Sequence, residues 1–180
     1  MPDTIVNIVR NLEYTLEAFR SAEIEDTRIF PIYAEYLVAL RLEQLGFEAE
    51  VVNKKSYDIL LNKKTRVEVK TGKYEEGGAA ASFRKGDQIK DGKFEYCVFV
   101  TYDRLRTKEI LVFRREELEE VALKPRLNVA RYPNNCCLLL KFASLHDYLD
   151  WLGGREELDI EVKLHKHPEE FLDRWDKIKE

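Results

Sequence analysis

The chain has 180 residues, enough for one well-buried core and too few for two sizeable domains, and its 44% hydrophobic and 11% aromatic content is too rich for a disordered chain. Its net charge of −4 gives no general pull toward a polyanion. No apolar run approaches the roughly 20 residues of a membrane span; acids and Asn break up residues 1–20 where a signal peptide would need an apolar stretch, so a cytoplasmic protein is expected.

In chain order, Asp3 to Arg20 carries an apolar stripe at Ile5, Ile8, Val9, Leu12, Leu16 and Phe19, which predicts an amphipathic helix with Asp3 as its cap. A second helix is expected after Asp26 and Thr27, with Pro31 in its opening turn and Gly46 as its stop. Phe47–Val52 alternates like a strand, and Tyr57–Leu61 with Thr65–Thr71 reads as a hairpin. The small residues of Glu75–Ser82 predict a pliable loop. Phe94–Tyr102 and Glu109–Phe113 are strand-like, Arg115–Ala122 is a short helix, and Pro125–Asn135 has no regular pattern. Cys136–Phe142 predicts a strand, Leu145–Leu152 a helix, Leu158–Leu164 a strand, and His167-Pro-Glu-Glu170 the start of a final helix. Strands clustered between helices imply an α/β or α+β fold, a mixed central sheet flanked by helices in one domain spanning residues 1–180.

Charge is unevenly spread. Asn53 to Lys93 holds eleven Lys/Arg against six Asp/Glu, while the remainder holds 19 against 28. A locally positive segment in an acidic protein can meet a polyanion, although a solvated lysine-rich surface has the same composition. The three cysteines, Cys97 and the adjacent Cys136-Cys137, make poor material for a disulfide framework and read as reduced core thiols. His165-Lys-His167 is a solvated strand end, and Ser144-Leu-His146-Asp147 is helix-start chemistry, because neighbouring positions cannot converge as a triad.

The hairpin "SYDILLNKKTRVEVKTGK" (Ser56–Lys73) breaks its own apolar alternation with Asp58, Glu68 and Lys70. A three-residue loop, Asn62-Lys63-Lys64, pairs Ile59 with Val67 and Tyr57 with Val69, making one face wholly apolar. A two-residue loop would strand those groups, so burial selects the longer loop. The same register opposes Asp58 to Glu68 and leaves Lys70 on their side. Opposed carboxylates repel as water is excluded. A shared proton, a basic neighbour or a divalent cation relieves the repulsion, and oxygen ligands suit Mg²⁺, which is readily shared with substrate phosphates. Two acids for a metal and a cation for developing charge suit phosphodiester hydrolysis.

Asp58 followed by Glu68-Val-Lys70 resembles the D-x(n)-(D/E)-x-K signature of the PD-(D/E)XK, or restriction-endonuclease-like, nucleases. The resemblance covers about residues 27–102. Tyr57 stands where the family usually has Pro, and residues 103–180 align to no subfamily, forming a C-terminal elaboration. The resemblance implies a metal-dependent endonuclease that hydrolyses DNA, with Asp58, Glu68 and Lys70 catalytic. Mg²⁺, with Mn²⁺ as a substitute, would be held by Asp58, Glu68 and the Val69 carbonyl. It also implies a homodimer, while the motif does not separate DNA from RNA.

Glu35 is the one acid in the run Ile29–Leu42 and is flanked at helical spacing by Pro31, Ile32, Val38 and Ala39. A carboxylate on so apolar a helix needs a cation or hydrogen bonds, from Arg28, from Arg41 or from a metal. The family often places a metal-site glutamate on this helix, which implies that role for Glu35. By the same resemblance Gln88 helps place the water or phosphate. Lys54, Lys55, Lys73, Arg84, Lys85, Lys90 and Lys93 supply backbone contacts that make binding salt-dependent. The alternatives are a nucleic-acid-binding module on the same fold without catalysis, and an exposed cross-strand ion network of purely structural value.

Overall fold

The computed structural model describes residues 4–24, 26, 28–54, 56–75, 78–83, 93–127, 136–140, 158–161 and 171–179. Helix α1 (Ile5–Ser21) starts after extended Thr4 and buries Val9 and Leu16. Helix α2 (Ile29–Gln44) buries Phe30, Tyr33, Ala34, Val38, Ala39 and Leu42. Gly46 ends the turn that follows at φ +96°, a conformation glycine adopts without Cβ strain. No helix among the described residues is long and apolar enough to cross a membrane.

The fold is α+β. Its central sheet takes β1 (Ala49–Lys54), β2 (Tyr57–Leu61), β3 (Thr65–Glu75), β5 (Tyr96–Asp103) and β6 (Arg106–Arg114) in the order β1-β2-β3-β5-β6. All neighbours are antiparallel except β3 and β5, which run parallel from Val67↔Tyr96 to Lys73↔Tyr102. A parallel pair needs a crossover of a dozen or more residues, and the chain between β3 and β5 supplies it. The far end of β3 continues into a second set of strands, β4 (Gly78–Phe83), β8 (Cys136–Leu140), β7 (Ala122–Leu127) and β9 (Leu158–Glu161), all antiparallel. Helix α3 (Arg115–Val121) follows β6.

Alternation along the strands divides the core in two. Ile59, Val67, Val69, Val98, Val100 and Val112 pack with α1 and α2. Cys97, Phe99, Leu111 and Phe113 pack with Phe94, Leu118 of α3 and Phe171 on the other side. The C-terminal residues lie along β6: Leu172 bridges Leu111, and the Asp173 N–H donates to the Ile110 carbonyl at 2.9 Å. Trp175 and Ile178 enter the first core and Phe171 the second. Lys177, itself buried, donates to Glu117 of α3 at 3.0 Å and sits 4.3 Å from the Phe171 ring centroid.

Three sequence expectations are corrected. Residues 78–83 form β4, not a loop, because the β8 backbone pairs with them and small side chains suffice for a ladder. The stretch expected to be irregular from Pro125 begins inside β7, where Pro125 pairs with Ile160. The end of the expected final helix is a single 3-10 turn, Trp175–Lys177, since Asp173 takes a left-handed φ of 50° and turns the chain onto β6. The expected helix at 145–152 lies outside the described residues, as do His146, His165 and His167.

Candidate active site

The β2–β3 turn fixes the site. Asn62 and Lys63 both adopt left-handed backbone, φ 48° and 59°, which asparagine tolerates better than most residues. The Asn62 side-chain oxygen accepts the Glu48 N–H at 2.8 Å, and the Asn62 N–H donates to the Glu48 carbonyl at 2.8 Å, so the turn is held by the segment entering β1. The ladder runs Leu61↔Thr65, Leu60↔Arg66, Ile59↔Val67, the register selected by burial of Ile59 and Val67. One step further Asp58 faces Glu68.

There the two strands cease to pair, so the expected Tyr57–Val69 pair does not form: Val69 lies in the first core and Tyr57 packs against the second. The next β3 amide on that side, Val69 N–H, donates to the Asp58 carboxylate at 2.7 Å. A strand residue directs its N–H and C=O to the same neighbour, so the Val69 carbonyl also leaves β3 on the Asp58 side. Glu68, 4% exposed, forms an ion pair with Lys70 two residues on, along the same face. Glu35 of α2 is half-buried, and the two arginines that could have balanced it pair elsewhere, Arg28 with Asp26 and Arg41 with Gln44.

The electrostatics join these four groups. Burial pushes the Glu35 carboxyl up to about 7, with the Asp58 and Glu68 charges adding to the rise and Lys70 opposing it. Burial also carries Glu68 up to about 7, against the pull of Lys70 and with a push from Asp58. Asp58 is raised by burial, restrained by the Val69 N–H and by Lys70. Three acids thus crowd one ammonium. A buried Glu68 rules out the reading of these residues as an exposed surface network.

This donor set suits a hard divalent cation, because carboxylate and carbonyl oxygens are the ligands such ions take, and crowding that raises carboxyl pKa values is relieved by added positive charge. The side chains are arranged otherwise: Asp58 is turned to the Val69 amide and Glu68 to Lys70. Among the described residues no three His, Cys, Asp or Glu are gathered so as to hold an ion together. Holding one requires those two carboxylates to rotate.

The remaining expected site residues divide. Lys54, at the end of β1, is exposed, and its ammonium lies 5.6 Å from the Tyr57 ring centroid. Lys93 is exposed just before Phe94. Lys73 is half-buried at the far end of the β3–β5 pairing, on the face opposite Glu68 and Lys70. Lys55, Arg84, Lys85, Gln88 and Lys90 lie outside the described residues. Sequence reasoning missed two neighbours of the site. Cys97 pairs with Glu68 across the parallel ladder and is fully buried, its thiol pushed far up by burial. Arg66 forms an ion pair with Glu95 beside Glu68. Both depend on the β3–β5 pairing, which no local pattern encodes.

The chain matches no known family model and no curated protein.

Proposed function

We propose that the protein is a Mg²⁺-dependent endonuclease that hydrolyses DNA phosphodiester bonds, built on a restriction-endonuclease-like core of α2 and the β1-β2-β3-β5 strands. The observation that carries this reading is the shared electrostatic environment of Glu35, Asp58, Glu68 and Lys70 where β2 and β3 part. Asp58, Glu68 and the Val69 carbonyl would hold the ion, with Glu35 completing the set. When bound, Mg²⁺ supplies an acidified water and neutralises charge on the phosphate. The Asp58 carboxylate, held to the Val69 amide in this arrangement, would have to turn from it to reach the ion. Lys70, released from Glu68 when that carboxylate turns, presents its ammonium to the attacking water and to the charge that develops on phosphorus. Glu35 and Glu68, drawn up to about 7, exchange protons near neutrality, so a cation competes with protons for them.

The test is supercoiled plasmid incubated with Mg²⁺, with Mn²⁺ and with EDTA. Nicking is expected with either metal and none with EDTA, and Asp58→Ala, Glu68→Ala and Lys70→Ala should each lower the rate by at least about 100-fold while keeping the native circular dichroism. Cleavage that survives chelation overturns the mechanism. A second reading, a nucleic-acid-binding module without catalysis, is favoured by the engagement of Glu68 with Lys70 and Asp58 with Val69. Such a module would bind DNA in EDTA and leave the plasmid intact with either metal.

A further inference from the structure

The β5–β6 turn is made from residues that do not favour its shape. Arg104 and Leu105 both hold left-handed backbone, φ 44° and 59°, where such turns prefer asparagine and glycine. For Leu105 the strain is offset by burial in the first core. Its carbonyl accepts Arg20 Nη1 at 2.7 Å, which ties the turn to the end of α1. Arg104 has no such offset: it is exposed, and among the described residues its guanidinium enters no hydrogen bond or ion pair. The same holds for exposed Arg106, whose charge only assists Arg20 in holding the Glu17 carboxyl below its usual value. Strain retained at an exposed cation without a partner points to a ligand rather than to packing.

Both arginines line a recess of about 760 Å³ between this turn and the residues that follow α1, within the roughly 300–1,000 Å³ of small-ligand sites. Its other cations are engaged: Arg20 by Glu17, and Lys108 by Asp103 at 3.8 Å. Arg104 and Arg106 therefore face one remaining acid, Glu23, and the recess stays positive. Two guanidinium forks side by side suit a phosphate dianion. A second recess, of about 440 Å³, shares Arg20, Leu105, Arg106 and Thr107 with the first and adds buried Leu16 and Tyr33. It also adds the Glu13 and Glu17 carboxylates, acceptors for hydroxyl or N–H groups; the Tyr33 phenol already donates to Glu13 at 3.2 Å. The joined space is basic at the turn and rich in acceptors within.

We propose that this cavity binds a small phosphate ester of about nucleotide size, its phosphate held by Arg104 and Arg106 and its donor-bearing body lodged over Leu105 toward Glu13 and Glu17. The site is separate from the carboxylates of β2 and β3. Tyr102, two residues before Arg104, pairs with Lys73, which lies about 16 Å along β3 from Glu68. The proposal stands without the nuclease reading. A duplex backbone can touch the turn but cannot enter the inner recess.

The experiment is isothermal titration calorimetry of the full-length protein in EDTA with AMP, with adenosine and with inorganic phosphate, alongside binding of a fluorescently labelled DNA duplex. AMP is expected to bind at one site per chain, at least about tenfold more tightly than adenosine or phosphate alone. Arg104→Gln and Arg106→Gln should each weaken AMP binding about tenfold. Lys64→Gln, which removes an exposed charge at the distant β2–β3 turn, should leave it unchanged. Arg104→Gly separates binding from folding: relief of the left-handed strain should raise the thermal midpoint by about 2 °C while AMP affinity falls as in Arg104→Gln. Absence of saturable AMP binding overturns the proposal, as does wild-type affinity in both arginine variants or an equal loss in Lys64→Gln. A site that takes bare phosphate as tightly as AMP, or that takes duplex DNA in place of AMP, overturns it equally.

Discussion

Glu35 and Glu68 have an ordinary carboxyl value of 4.5 and are raised to about 7 in the folded chain. A carboxyl raised in this way contributes stability that is complete below pH 4.5 and disappears as pH climbs through about 7, because the folded state holds the proton more tightly than the unfolded one. At about 1.4 kcal/mol for each pH unit per carboxyl, the loss for the coupled pair is on the order of several kcal/mol between those limits. Urea unfolding at pH 5 and pH 8 should show it, and Glu35→Gln should reduce the difference between the two. A divalent cation should raise the unfolding midpoint markedly at pH 8 and little at pH 5, since protons occupy the same oxygens at the lower pH. Equal shifts at both values would separate the ion from these carboxylates. Cys97 illustrates what residue-level reading misses: its thiol is a small apolar neighbour of Glu68 only because β3 and β5 run parallel.

Among the elements, the β2–β3 hairpin turns burial into chemistry. Its loop length decides which residues face one another, so deleting Lys63 should slip the register, turn Glu68 toward α2 and abolish function along with much of the stability. Asn62→Ala should cost about 1–2 kcal/mol through the strained φ and the lost Glu48 contact, while Lys63→Gly should be neutral or stabilising by about 0.5 kcal/mol. Denaturant midpoints of the two variants, moving in different directions, check this. The hairpin was legible in the sequence because strand alternation is a strict two-residue code, and Ile59, Val67 and Val69 admitted one solution. The α2 helix was legible for a similar reason, its near-continuous apolar character. Strand β4 was not, because Gly-Ala-Ala-Ala carries almost no intrinsic strand preference and owes its form to β8.

Across the whole molecule, the two cores are closed by residues 171–179, which lay Phe171, Trp175 and Ile178 across β6. Trp175→Ala should cost about 3 kcal/mol, and Lys177→Ala should destabilise by leaving Glu117 without its buried partner; thermal unfolding of each variant measures the loss. The docked terminus read as a helix because its anchors Phe171, Trp175 and Ile178 follow the i, i+4, i+7 spacing of an amphipathic helix, whereas the left-handed turn at Asp173 that lays them across β6 has no periodic signature. The general class, a mixed sheet with helices, followed from the succession of elements, whereas the divergence of β3 into a second set of strands depends on partners far along the chain.

The parallel alignment of β3 with β5 also sets an order of events in time. Its ends must be brought together across the intervening segment, β4 included, before any ladder bond rewards the closure, which makes this step slow relative to the local hairpin. The turn at Asn62 can form within microseconds, but Glu68 gains its buried setting, and Arg66 its anchor, only after the crossover closes. An incompletely folded chain therefore carries the three acidic and basic signature residues in solvated, ordinary form, and the chemistry they share arises only with the completed sheet.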